Sequence, residues 1–138
     1  MPRAAQDWAP VETTLLGDVV MARAASADLF WRVARAALER SDRGPTPHLV
    51  LSVGRSAWLD AASELLALAL PRTGYMAGRL PNGSAHVRLM VSRGERAARP
   101  VDTYRADGDV ALALLEALVQ ASQDGETAVD GRAGRLDA

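Results

Sequence analysis

His48-Leu49-Val50-Leu51-Ser52-Val53-Gly54-Arg55-Ser56-Ala57-Trp58 is the stretch on which the reading of this chain turns. Its first six residues form a short, nearly continuous apolar run, the pattern of a strand buried on both faces. Gly54, Arg55 and Ser56 then make a polar turn, and an apolar helical pattern fills residues 56–70. Read this way, a central strand passes through a glycine-containing turn onto a helix N-terminus.

The helix over 56–70 is unusually apolar. Trp58, Leu59, Leu65, Leu66, Leu68 and Leu70 cover much of its circumference, and Asp60, Ser63 and Glu64 leave only a narrow polar stripe. Such a helix is buried on more than one side or covered by a partner, so Trp58, Leu59 and Leu66 are the expected interface residues. Pro71 closes it. Beyond, residues 73–80 and 85–92 bracket Pro81-Asn82-Gly83-Ser84. Asn-Gly between two β-type runs predicts a hairpin. In its second strand Val87, Leu89 and Val91 alternate with His86, Arg88, Met90 and Ser92, so one face is core and the other is solvent or a binding surface. Residues 101–104 read as a short edge strand. Asp107 is the expected N-cap of a last helix, with Asp109 against its dipole and Val110, Leu114, Leu115, Leu118 and Val119 on its buried face. Few large apolar residues follow Gln123, and a disordered tail is expected over 123–138.

Upstream, residues 41–47 form a loop rich in glycine and proline. Before it lie two helical patterns, residues 11–24 and 29–38, and Ser26 or Asp28 as an N-cap favours a break between them. Residues 1–10 read as an N-terminal arm that Trp8 docks. The expectation is a single α+β domain over residues 11–122, a two- or three-layer sandwich with helices at both chain ends. Its sheet is expected to be small and mixed, with one βαβ-type unit and a β-hairpin.

A chain of 138 residues is long enough for one core without covalent staples. Cysteine is absent, which removes disulfides, thiolate metal sites and thiol nucleophiles together. Lysine is absent too, excluding a Schiff-base lysine and a Walker-type phosphate lysine. With no isoleucine and Asn82 as the one asparagine, the composition points to a GC-rich bacterial coding sequence. The formal net charge of −1 gives no general bias toward nucleic acid or anionic membrane. It is unevenly spread: residues 72–105 carry seven arginines against Glu95 and Asp102, whereas residues 106–138 carry seven acids against Arg132 and Arg135. Mutual neutralisation within one fold is the expectation. No apolar run reaches the ~20 residues of a membrane-spanning helix, and no secretory h-region is seen at Met1, so a cytoplasmic location is expected.

The candidate sites are few. Helix-terminal amides, a glycine, a guanidinium and a hydroxyl make Gly54, Arg55 and Ser56 an anion-site candidate, with Arg88 assisting. A single glycine, however, gives neither a dinucleotide nor a Walker loop. The same residues imitate the front of a nucleophile elbow, but Trp58 stands where that turn needs glycine. His86 is the one histidine after Ser56, a weak basis for a triad. His48 and His86 offer no metal-ligand spacing, and no cofactor is expected. Arginines 88–105 lack the aromatic interleaving of a nucleic-acid surface, so nucleic acid is disfavoured. The expectation is a non-catalytic protein-interaction or assembly subunit, self-associating or binding a protein partner through apolar helix surface. The alternative is a small-ligand domain or enzyme taking a phosphate or carboxylate at Gly54, Arg55 and Ser56.

Overall fold

A computed structural model describes residues 14–137 apart from 40, 42 and 92–98, with side chains as far as Gln123. The N-terminal arm with Trp8, and the loop arginines Arg93 and Arg96, lie outside the described residues.

The chain runs α1 (residues 14–21), α2 (Ala27–Leu38), α3 (Pro47–Gly54), α4 (Trp58–Ala69), β1 (Gly74–Arg79), β2 (Ala85–Val91), β3 (Arg99–Arg105) and α5 (Val110–Asp137). It is an α+β fold with helices at both ends. The sheet is three-stranded and antiparallel throughout, in the order β1-β2-β3.

The opening stretch corrects the expectation. Residues 48–53 belong to a helix, not a central strand, so there is no βαβ unit and the sheet is not mixed. Thr46 and Pro47 decide it: the Thr46 side chain accepts from the Leu49 amide at 3.1 Å, and Pro47 occupies the first helical position. Burial then follows helical spacing, with Leu49, Ser52 and Val53 inside and Val50 and Leu51 outside. The two helical patterns upstream are separate helices, because Ser26 caps α2 by accepting from Leu29 N at 3.2 Å.

The hairpin forms at Asn82-Gly83. Leu80 N donates to Ser84 O at 2.8 Å, Gly83 takes a φ of +87°, and Asn82 Oδ1 accepts from the Ser84 amide at 3.0 Å. In β2, Ala85, Val87, Leu89 and Val91 are buried, and Arg88 and Met90 are exposed, as the alternation requires. The edge strand expected at 101–104 extends over Arg99–Arg105.

The centre of the fold is α5. Every residue from Ala111 to Val119 is buried, because α5 packs on β2 and β3 with one side and on α2 and α4 with the other. Asp109, rather than Asp107, is its N-cap, accepting from Leu112 N at 2.9 Å. Asp107 instead accepts from the Asp109 amide and from Arg105. The helix assigned to the C-terminal residues continues to Asp137, over the stretch expected as a tail.

Candidate functional site

Three regions carry the residues singled out in the sequence: the α3–α4 turn, the apolar face of α4, and the side of the sheet facing away from α5.

At the α3–α4 turn, Gly54 ends α3 and Arg55 is its C-cap. Arg55 N donates to Leu51 O at 3.0 Å, Ser56 N to Val53 O at 3.0 Å, and Ala57 N to Ser52 O at 2.9 Å. This is a Schellman-type helix end, with Ser56 at φ 56° in the position that usually holds glycine. The amides of Arg55, Ser56 and Ala57 are therefore engaged by carbonyls of α3. Ser56 does not cap α4 either: its N-cap is Ala57, which has no side chain to do so. Nearby, Glu64 of α4 accepts from Thr46 Oγ1 at 2.8 Å and from His48 Nδ1, fastening the start of α3 to α4. The His48 hydrogen bond holds the Glu64 carboxyl below its ordinary value.

On α4, the residues expected at an interface separate. Leu66 is buried at 2 % exposure beside Ala61, Ala62 and Leu65 and is not available to a partner in this fold. The apolar excess of the helix is absorbed by α2, α3 and α5, which pack around it. Trp58 is half-buried with its ring 6.2 Å from Phe30, which also meets Trp31 edge-on at 5.6 Å. Leu59 stays exposed, as do Val50 and Leu51 on α3.

The sheet is covered by helix on one side. On its other side the register lines up Gly78, His86 and Tyr104 in one row, Met76, Arg88 and Asp102 in the next, and Gly74, Met90 and Pro100 in a third. Asp102 is the hub of this face. Arg88 Nε donates to its Oδ1 at 2.8 Å and Arg88 Nη2 to its Oδ2 at 3.1 Å, while His86 Nε2 lies 2.9 Å from Oδ1. The Arg88 hydrogen bonds, then that of His86, lower the Asp102 pKa from 3.8 to about 2. An ionised carboxylate only accepts, so the proton of the His86–Asp102 bond sits on His86 Nε2. The His86 ring stacks on Tyr104 with centroids 4.5 Å apart and planes 10° from parallel. Around this polar cluster Met76 is 70 % exposed, Tyr104 61 % and Met90 38 %.

Arg88 is thus committed to Asp102, and no hydrogen bond or ion pair described for it reaches the Gly54–Ser56 turn. Arg105, counted with the basic stretch, is buried and paired with acids of the last helix and its approach, as mutual neutralisation requires. Among the described residues no three His, Asp or Glu side chains are placed to hold a metal ion, and no helix is long and apolar enough to cross a membrane.

The strand β1 is the first strand of the expected hairpin, and what sequence reasoning missed is that it forms an open edge of the sheet. All six of its residues are exposed, on both faces. The signal available was the composition Gly-Tyr-Met-Ala-Gly-Arg, which has two glycines and none of the branched aliphatic residues that fill the buried face of β2. Comparison with protein-family models, with curated proteins and with solved structures finds no match to this chain.

Proposed function

We propose that this chain is a non-catalytic protein-interaction or assembly subunit, and that the open side of its sheet, rather than the apolar face of α4, is what meets a partner. One observation carries the reading: β1 is an edge strand with all six residues exposed, continuous with a sheet face on which Met76, Met90 and Tyr104 stand in solvent. Natural sheets usually blunt an edge with charged side chains, proline, a bulge or a covering helix, and of the residue devices β1 carries one charge, Arg79, and no proline. An extended strand added to such an edge is held by main-chain hydrogen bonds and selected by alternate side chains. Val50 and Leu51 on α3 and Leu59 on α4 are also exposed. The anionic-ligand alternative draws no support from a turn whose amides close α3.

The test pairs light scattering after size exclusion with retention experiments, using the wild-type chain and a Met76→Glu, Tyr104→Glu double variant. The expected result is self-association, or a retained partner, that the double variant weakens. A monomer at every concentration that retains nothing the double variant fails to retain contradicts the reading.

A further inference from the structure

We infer that the occupant of the β1 edge is a second copy of this chain, paired antiparallel to β1 about a two-fold axis at Ala77, so that two sheets join into one of six strands. The inference rests on the interaction reading above and names its partner.

The register follows from hydrogen-bond geometry. Leu80 N donates to Ser84 O, directly opposite, so this is a hydrogen-bonded pair of the hairpin. In an antiparallel ladder such pairs alternate, which makes Gly78–His86, Met76–Arg88 and Gly74–Met90 the bonded pairs within the sheet. Tyr75, Ala77 and Arg79 consequently direct their amides and carbonyls toward the open edge. One self-pairing engages all three. Ala77 faces Ala77 of the second copy, and Tyr75 faces the second copy's Arg79, with the reverse pair completing the symmetry. On the other face Met76 meets the second copy's Gly78, a long side chain over none.

The side chains suit this arrangement. Arg79 Nε donates to Gly108 O at 3.1 Å, and Tyr75 Oη lies 2.8 Å from Ser63 Oγ, so both side chains stand on the helix side of the strand, the side they share with Ala77. A guanidinium across from a phenol ring is a favourable cross-strand contact, and no like charges oppose each other. Centring the axis on Arg79 would set two arginines face to face. The opposite edge of the sheet is less suited to pairing, since β3 carries Pro100 together with Arg99, Asp102 and Arg105. A two-fold axis perpendicular to the sheet leaves both helical layers on the same side and merges the outer faces, bringing Met76 of each copy near the seam.

The absence of cysteine gives a direct test. Opposed residues of a hydrogen-bonded antiparallel pair have Cα atoms about 5.5 Å apart, within disulfide range. Ala77→Cys is expected to cross-link to itself under mild oxidation. Gly74→Cys is expected not to, because its counterpart lies six residues along, about 20 Å away. In the unoxidised chain, Tyr75→Lys sets lysine against arginine twice and is expected to weaken dimerisation more than about tenfold, whereas Tyr75→Glu sets opposite charges together and retains it. Both variants lose the Ser63 contact equally, so folding alone does not separate them. A chain that is monomeric at millimolar concentration, equal cross-linking of Gly74→Cys and Ala77→Cys, or equal dimerisation of Tyr75→Lys and Tyr75→Glu overturns the inference. If dimers persist in Tyr75→Lys but dissociate in the Met76→Glu, Tyr104→Glu variant, the inference falls and the interaction reading stands.

Discussion

Arg105 of β3 reaches the end of α1, where its Nη2 donates to Ala22 O at 2.6 Å. Nη1 of the same guanidinium donates to Val19 O at 3.0 Å and Val20 O at 3.3 Å. The last carbonyls of a helix have no partners within it, and here one side chain supplies them. Asp107 holds the guanidinium from the other side, with Oδ2 2.8 Å from Nη2, and Glu116 of α5 lies 3.9 Å from Nη1. Burial pushes the Glu116 carboxyl up, and the nearby Arg105 opposes that rise. Arg105→Met removes the caps and leaves Glu116 without its cation, for an expected loss of about 3 kcal/mol in urea unfolding. Arg105→Lys recovers part of this, since one ammonium cannot fork among three carbonyls. In Arg105→Met the Glu116 carboxyl moves further up, readable by carbon-detected NMR titration. A loss under about 1 kcal/mol would mean that water serves α1 as well as Arg105 does.

Two glycines with the same backbone handedness should respond differently to alanine. Gly83 has φ +87° and open space where a Cβ would be, while Gly108 has φ +77° and would put its Cβ 2.6 Å from Gly83 O. The β1–β2 turn rests on the backbone before α5. Gly83→Ala therefore costs only the left-handed conformation, about 1 kcal/mol. Gly108→Ala also forces the two turns apart, and an expected loss of at least ~2 kcal/mol follows. Chemical denaturation of the two variants side by side decides it, and equal losses would show that the two turns do not bear on each other.

The hairpin and the facing of β2 were legible because their signals are local: Asn82-Gly83 sets the turn, and residues 85–91 alternate without interruption. The helix α3 was not. Leu49, Val50 and Leu51 make a run too short for periodicity to separate a buried strand from a helix. The cap at Thr46 and Pro47, which settles it, was read as part of a loop. The same change of element alters the turn. With α3 a strand, the amides of Arg55 and Ser56 were free; with α3 a helix, they terminate it. Leu66 was set among interface residues because a helix this apolar is buried on more than one side or covered by a partner, and it is the first that holds for Leu66, with α2, α3 and α5 around α4. The run Val110 to Val119, apolar but for Glu116, did carry the mark of a helix buried on all sides.

Ser56 holds the left-handed position of the helix end, with φ 56°, and its neighbour Gly54 sits where glycine is not required. Ser56→Gly relieves a conformation that costs a non-glycine residue roughly 1–2 kcal/mol, offset by the greater freedom of glycine in the unfolded chain, roughly 0.5–1 kcal/mol. The expected gain is about 0.5–1 kcal/mol and a rise in Tm of a few degrees. Ser56→Ala keeps the strained conformation and should bring no gain. If Ser56→Gly lowers Tm, the hydroxyl contributes more here than the backbone costs.

The sheet face has its own pH dependence. Asp102 is more acidic in the folded chain, near 2, than its ordinary value of 3.8. Its pairing with Arg88 and His86 therefore stabilises the sheet fully above the ordinary carboxylate range and is lost as the pH falls from about 4 toward 2. Glu64 and Asp107, also lowered, act in the same sense, whereas Glu116, raised by burial, acts in the opposite one and favours the fold on its own protonation. Carboxyl NMR should place the Asp102 midpoint near 2 in the wild-type chain. Arg88→Gln should raise that midpoint more than His86→Gln does, because the Arg88 hydrogen bonds are the larger cause. The His86–Tyr104 stack gives a second readout. Once Asp102 takes up a proton its hold on His86 Nε2 loses the charge assistance, and the ring-current shift of the His86 protons should change with the same midpoint. A wild-type Asp102 that titrates in the ordinary range would show that the Arg88 fork does not persist in solution.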